Sequence, residues 1–122
     1  MDIKEFWLDV LKQNKEKLHT YFHEKAVIRW HCSNELFTVK EYIQANCKYP
    51  GQWDGKIERV EEIANTIITV VKVYSIDKSN SFHVVSFFRL ENGLIVEIDE
   101  YWGDDGVAPE WRCQMNIGKP IR

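Results

Sequence analysis

At 122 residues the chain has room for one domain and one core, expected to bury roughly two-thirds of the surface its unfolded form exposes. A formal net charge of -3, with 16 Lys and Arg spread along the sequence rather than gathered in a stripe, argues against nucleic acid or an anionic membrane as partner, and no apolar run nears the roughly 18 residues of a membrane span. Cys32, Cys47 and Cys113 are odd in number and widely spaced, which signals neither a disulfide framework nor a CxxC zinc site; an acidic, amphipathic start (MDIKEFWLDV) makes the expected location cytoplasmic, with no cofactor or metal.

The elements follow in chain order. Asp2 and Glu5 stand in capping-box spacing, and Ile3, Phe6, Trp7, Val10 and Leu11 recur at i, i+3, i+4, i+7, i+8, predicting an amphipathic helix that ends near Asn14. A second short helix is expected over 15–23, burying Leu18, Tyr21 and Phe22 under a polar face of Lys15, Glu16 and Lys17. Residues 26–31 (AVIRWH) read as a strand with Ile28 and Trp30 on one face and Val27, Arg29 and His31 on the other. Ser33, Asn34 and Glu35 make the expected turn. Thr38 and Glu41 form a T-x-x-E capping box for a helix burying Val39, Tyr42, Ile43 and Asn46 or Cys47, which Pro50-Gly51 stops.

From Trp53 onward the period becomes two. Strands are predicted over 53–63, 66–76, 82–91 and 94–102, joined by Ala64-Asn65, by 77–81 and by Asn92-Gly93, a hairpin turn pair. Helices in front and an antiparallel meander behind predict an α+β fold. A strongly curved sheet with the first helix across its concave side would bury both apolar stripes. The stretch 103–122 is punctuated by Gly, Asp and Pro and is expected to be largely irregular, anchored by Trp111 and Ile117.

The predicted last strand (LIVEIDEYW) contains the most informative carboxylate. Alternation puts Val96, Ile98, Glu100 and Trp102 on one face, and Ile95, Glu97, Asp99 and Tyr101 on the other. An acid among apolar neighbours must be hydrogen-bonded, paired or protonated, so Glu100 is the first candidate for chemistry, with a purely structural carboxylate as the competing reading. Five Trp, five Tyr and six Phe suit a concave pocket with apolar walls and a few polar tips.

The order helix, helix, strand, helix and four meandering strands resembles the nuclear transport factor 2-like superfamily, its SnoaL-like branch in particular. FWLDVL, YFHEKAVIRWH and VSFFRLENGLIVEIDEYWGDDG carry the likeness, which spans nearly all of 1–122 as a single domain. It implies a cone-shaped α+β barrel, a curved antiparallel sheet wrapped around N-terminal helices, and association as a homodimer. Carried onto this chain, the pocket would be lined by Phe6, Val10, Ile28, Trp30, Tyr42 and Asn46, then by Phe82, Val84, Ser86 and Phe88, and finally by Val96, Ile98, Glu100 and Trp102. The ketosteroid isomerase branch works with an Asp base, a Tyr and a protonated Asp. Ungapped matching puts Phe6 and Trp30 at the first Tyr and Asp positions, and 81–88 contains no second acid, so the resemblance does not extend to that reaction.

The polar groups left near the inferred pocket are Glu100, Asn46, Ser86, and His31 with Cys32 at the rim. Glu100 and His31 together would suit a dehydratase, isomerase or cyclase, provided a bulge turned His31 inward. His19 and His23, four apart on the predicted second helix, lack the further ligands of a metal site, and 103–106 (GDDG) reads as a turn. No phosphate-binding or serine-hydrolase motif is present. The leading expectation is a small-molecule-binding protein in which Trp30, Trp53, Trp102 and Phe88 stack on a small hydrophobic or aromatic ligand. The alternatives are a cofactor-independent lyase or isomerase using Glu100, and a dimeric interaction module without activity.

Overall fold

Helix α1 (Ile3–Leu11) begins where Asp2 leaves extended backbone and its carboxylate accepts from the N–H groups of Lys4, at 2.9 Å, and Glu5, at 3.2 Å. Its apolar stripe, Ile3, Phe6, Trp7 and Val10, is buried, and the Trp7 indole donates to Thr69 Oγ1 at 3.1 Å, pinning the helix to the sheet. The computed structural model describes residues 1–122. Buried Asp9, on the same helix, accepts from the Tyr21 hydroxyl at 2.5 Å and from the Asn14 amide at 2.7 Å.

Helix α2 (Lys15–His19) is one turn shorter than its pattern suggested. Phe22 already belongs to strand β1 (Phe22–Trp30), so Leu18 alone supplies the buried side of α2. His19 and His23 consequently do not share a helix. Asn34 adopts a positive φ of 58° in a tight turn that sends the chain back as β2 (Glu35–Thr38), a short strand absent from the expected elements because Glu35 reads as turn. Thr38 and Glu41 close a reciprocal capping box, and α3 (Val39–Cys47) buries Val39, Tyr42 and Ile43.

Strands β3 (Trp53–Ile63), β4 (Thr66–Ser75), β5 (Ser81–Glu91) and β6 (Leu94–Asp104) form the expected antiparallel meander. Asn92 and Gly93, at φ 51° and 78°, take the two left-handed positions of the tightest hairpin. The whole sheet runs β2-β1-β6-β5-β4-β3. β1 lies parallel to β6 while every other pair is antiparallel, so the sheet is mixed rather than antiparallel. It curves but does not close: β2 and β3 are free edges, and the expected barrel is an open sheet.

A bulge in β6 corrects the predicted face. Arg89 pairs with Glu97 but Leu90 pairs with Ile95, leaving Val96 without a β5 partner. The extra residue shifts the alternation, so Ile95 is fully buried with Ile98, and Val96 is only half-buried. Gly55 on β3 faces a close approach: a Cβ there would lie 2.6 Å from the Lys72 carbonyl oxygen and 3.1 Å from Leu11. The core joins α1, α3 and the inner face of the sheet in one cluster centred on Phe6, Ile28, Val84, Phe88, Ile95 and Ile98. Beyond β6 the chain forms only α4 (Glu110–Cys113). Trp111 and Ile117 are 61% and 59% exposed, so neither anchors the segment. Asp105 holds its start, through its N–H to the Ser81 carbonyl and its carboxylate to the Ser81 hydroxyl and His83. No helix is long and apolar enough to cross a membrane.

Candidate functional site

The core and the cavity divide the aromatic residues between them. Phe6 meets Phe88 and Tyr21 edge-on at 5.3 Å and Trp7 at 5.9 Å, so α1 lies hard against the middle of the sheet and leaves no space there. Space remains where the strands end. A cavity of about 370 Å³ opens between the last turns of α1 and α3, the ends of β1, β4 and β6, and the starts of β3 and β5. That is a volume suited to a small organic molecule.

Its wall is a continuous run of aromatic rings. Trp30 meets Trp102 at 6.4 Å, Trp102 meets Phe82 at 6.2 Å, Phe82 meets Trp53 at 5.7 Å, and Trp53 meets Tyr49 at 5.3 Å. Val10, Leu11 and Val73 fill in between them. The polar part comes from Gln13 and Asn46. Gln13 Nε2 donates to the carbonyls of Asn46 and Tyr49 at 2.8 and 2.9 Å, and Asn46 Nδ2 donates to the Val10 carbonyl at 3.0 Å. Cys32, Ser33, Glu35 and Asp104 form the exposed mouth.

Glu100 sits behind this wall. It is 1% exposed, accepts from the Trp30 indole at 2.9 Å, and accepts from the Ser86 hydroxyl. Burial raises its pKa above the ordinary carboxylate value, and the Ser86 hydroxyl with the indole N–H groups of Trp30 and Trp102 turned toward it offset that only in part. The buried Trp102 Nε1–H lies toward the same carboxylate without closing a hydrogen bond of good geometry, and is the one buried side-chain polar atom without a partner. Burial, with the Glu100 charge beside it, also pushes the Tyr42 phenol well above its usual range.

Of the residues singled out in the sequence, Val10, Trp30, Asn46, Trp53, Phe82 and Trp102 line the cavity. Phe6, Ile28, Tyr42, Val84, Ser86, Phe88 and Ile98 are buried in the inner layer instead, where α1 has closed over them. Val96 is carried off that face by the bulge. Glu100 and Trp102 share the inner face, but only Trp102 reaches the cavity surface.

His31 and Glu100 are not brought together. Trp30 pairs with Glu100 in unbroken register and the His31 N–H donates to the Glu100 carbonyl at 3.0 Å, so no bulge turns the imidazole inward. It stacks on Tyr101 at 4.5 Å and meets Asp99 at 2.6 Å on the outer face. Sequence reasoning did not find Leu11, Gln13, Ser33, Glu35, Ala45, Tyr49, Val73 or Asp104 as part of the site. The alternation of β4, in which Ile67, Thr69, Val71 and Val73 are all buried, was a usable signal for Val73. Gln13 had none, because it lies past a helix end at a positive φ of 56°.

No protein-family model matches the chain, and no curated protein matches it in sequence. Solved structures match it throughout. A protein provisionally named a ketosteroid isomerase, from Kribbella flavida, superposes with a TM-score of 0.80 at 17% identity, over 98% of this chain and 87% of its own. A nuclear transport factor 2-like protein of unknown function from Burkholderia xenovorans gives 0.77 at 19% identity, over 97% and 91%. A provisionally named SnoaL-like polyketide cyclase from Shewanella putrefaciens gives 0.68 at 11%, over 92% and 79%.

Proposed function

With the nuclear transport factor 2-like fold as premise, we propose that the protein binds a small hydrophobic or aromatic molecule in the cavity at the strand ends. The observation that carries this reading is the unbroken ring wall from Trp30 through Trp102 and Phe82 to Trp53 around about 370 Å³. Such a wall offers stacking surface with little rotamer entropy to lose. Glu100 supports binding rather than turnover, because it holds the Trp30 ring from behind and has no place on the cavity surface.

The test is a titration of intrinsic Trp fluorescence with a panel of small aromatic compounds. Saturable quenching is expected, and Trp102→Ala should weaken it by roughly tenfold or more, in line with the ring area lost. Binding that is indifferent to both Trp102→Ala and Phe82→Ala would place the ligand elsewhere.

One observation favours a second reading, a cofactor-independent lyase or isomerase: a buried carboxyl with a raised pKa beside an unpartnered indole N–H. In that case Glu100→Gln would bind ligand and lose turnover by about a hundredfold or more.

A homodimer through the outer face of the sheet accompanies the proposal. Phe87 and Tyr101 are 38% and 43% exposed and meet edge-on at 6.1 Å, beside half-buried Val85. Ile95, expected on this face, is in the core. Light scattering should show twice the chain mass of 14.5 kDa, and Tyr101→Asp should halve it. The three unpaired cysteines fit the cytoplasm as the compartment.

A further inference from the structure

We propose that the molecule this cavity takes is a small organic ammonium ion, held against the ring faces of Trp30, Trp53 and Trp102 with the carboxylates of Glu35 and Asp104 at the mouth. The inference rests on the binding reading and adds the sign of the ligand's charge.

The charge that the cavity offers is all negative. No Lys, Arg or His lines it; its only charged residues are Glu35 and Asp104, and neither takes part in any ion pair. Gln13 Nε2 and Asn46 Nδ2 donate to backbone carbonyls, a place that a carboxamide oxygen could not take. That fixes the orientation of both carboxamides and leaves Gln13 Oε1 and Asn46 Oδ1 as acceptors to which no protein group donates. A ligand able to satisfy them must bring N–H or O–H donors.

The rings add to the same field. An aromatic face carries the negative part of the ring quadrupole, and Trp attracts a cation most strongly of the three aromatic types. Three of the five Trp in the chain stand on this wall. The Trp30 indole is further polarised, since its N–H donates to Glu100 behind it, which leaves the ring more electron-rich. An anionic ligand would meet two uncompensated carboxylates and no donor side chain of opposite charge. A neutral one could donate to the carboxamide oxygens but would leave the charge of Glu35 and Asp104 unanswered.

Benzylammonium, benzyl alcohol and benzoate share one ring and differ in charge, so they test the inference directly by calorimetry at low ionic strength. Benzylammonium should bind at least about tenfold more tightly than benzyl alcohol, with benzoate weakest. The exposed pair Glu35→Gln with Asp104→Asn should remove most of the cation's advantage, lowering the affinity for benzylammonium far more than that for benzyl alcohol. Benzyl alcohol binding as tightly as benzylammonium, with both lost in Trp102→Ala, would overturn the ammonium assignment and keep the aromatic cavity as the binding site. An advantage for the cation that survives intact in the double variant would overturn it too. Failure of all three compounds to bind saturably would remove the binding reading along with it.

Discussion

Glu100→Gln should gain stability relative to the native protein as the pH rises from 4 to 8. In the unfolded chain the carboxyl titrates near its ordinary value of about 4.3. In the folded protein it is 1% exposed and its pKa is raised by burial. Below the unfolded value both states hold the proton and nothing is gained or lost. Between the unfolded and folded values the folded state holds more protons than the unfolded one, so stability falls as pH rises. The slope there approaches about 1.4 kcal/mol per pH unit, and it ends once the folded carboxyl has also ionised. Gln has no proton to lose. Its carbonyl accepts from Trp30 and its amide donates to the Ser86 oxygen, so the variant keeps both contacts, and any fixed cost of re-pairing Ser86 cancels when each difference is referred to pH 4. Urea unfolding of both proteins from pH 4 to 8, followed by Trp fluorescence with equal m-values, measures that difference. A flat difference, or one in which the native protein gains on the variant as pH rises, would show that the hydrogen bonds outweigh burial and that the carboxylate is the form the fold prefers.

Asp9 should behave in the opposite sense. Burial alone would raise its pKa, but the Tyr21 and Asn14 bonds with the charges of Lys17 and Lys12 hold it below the ordinary value. Its stabilisation is therefore present at neutral pH and lost as pH falls through that lowered value. Tyr21→Phe should cost about 1–3 kcal/mol in urea titrations at pH 7 and less in acid; a penalty that grows on acidification would contradict the assignment. Phe88→Ala removes a fully buried ring between Phe6 and Trp7 and should cost about 3–5 kcal/mol, read from the same titrations; a loss under about 1 kcal/mol would mean that the core refills the space. Gly55→Ala drives a Cβ into the Lys72 carbonyl and should lower stability by about 1–3 kcal/mol, with a lower thermal midpoint; an unchanged midpoint would mean that β3 and β4 separate at no cost.

Periodicity was legible wherever one face of an element is buried and the other wet. It placed α1 and α3, whose caps are spelled out in the sequence, and the four strands of the meander, whose turns are equally plain. It failed where register depends on a partner. The bulge at Val96 is set by how β6 meets β5, and the parallel match of β1 to β6 by contacts some 70 residues apart. β2 is four residues long and mostly exposed, too little pattern to read. In the site, the large aromatics Trp30, Trp53, Phe82 and Trp102 were identifiable as types. Which aromatics would close on α1 and which would face the cavity was not, because that depends on how tightly Phe6 packs on Phe88.

The parallel pairing of β1 with β6 has a kinetic side. Hairpins β3–β4 and β5–β6 close across two-residue turns, Ala64-Asn65 and Asn92-Gly93, whereas the Trp30–Glu100 bond joins groups 70 positions apart. Closing so long a loop costs about 2–3 kcal/mol more entropy than closing a hairpin, and the outlay is met only once the meander exists to receive β1. During synthesis β1 therefore waits for a strand made some 70 residues after it. Trp30 and Trp102 meet edge-on across that junction, so the ring wall of the cavity is complete only once β1 has docked on β6.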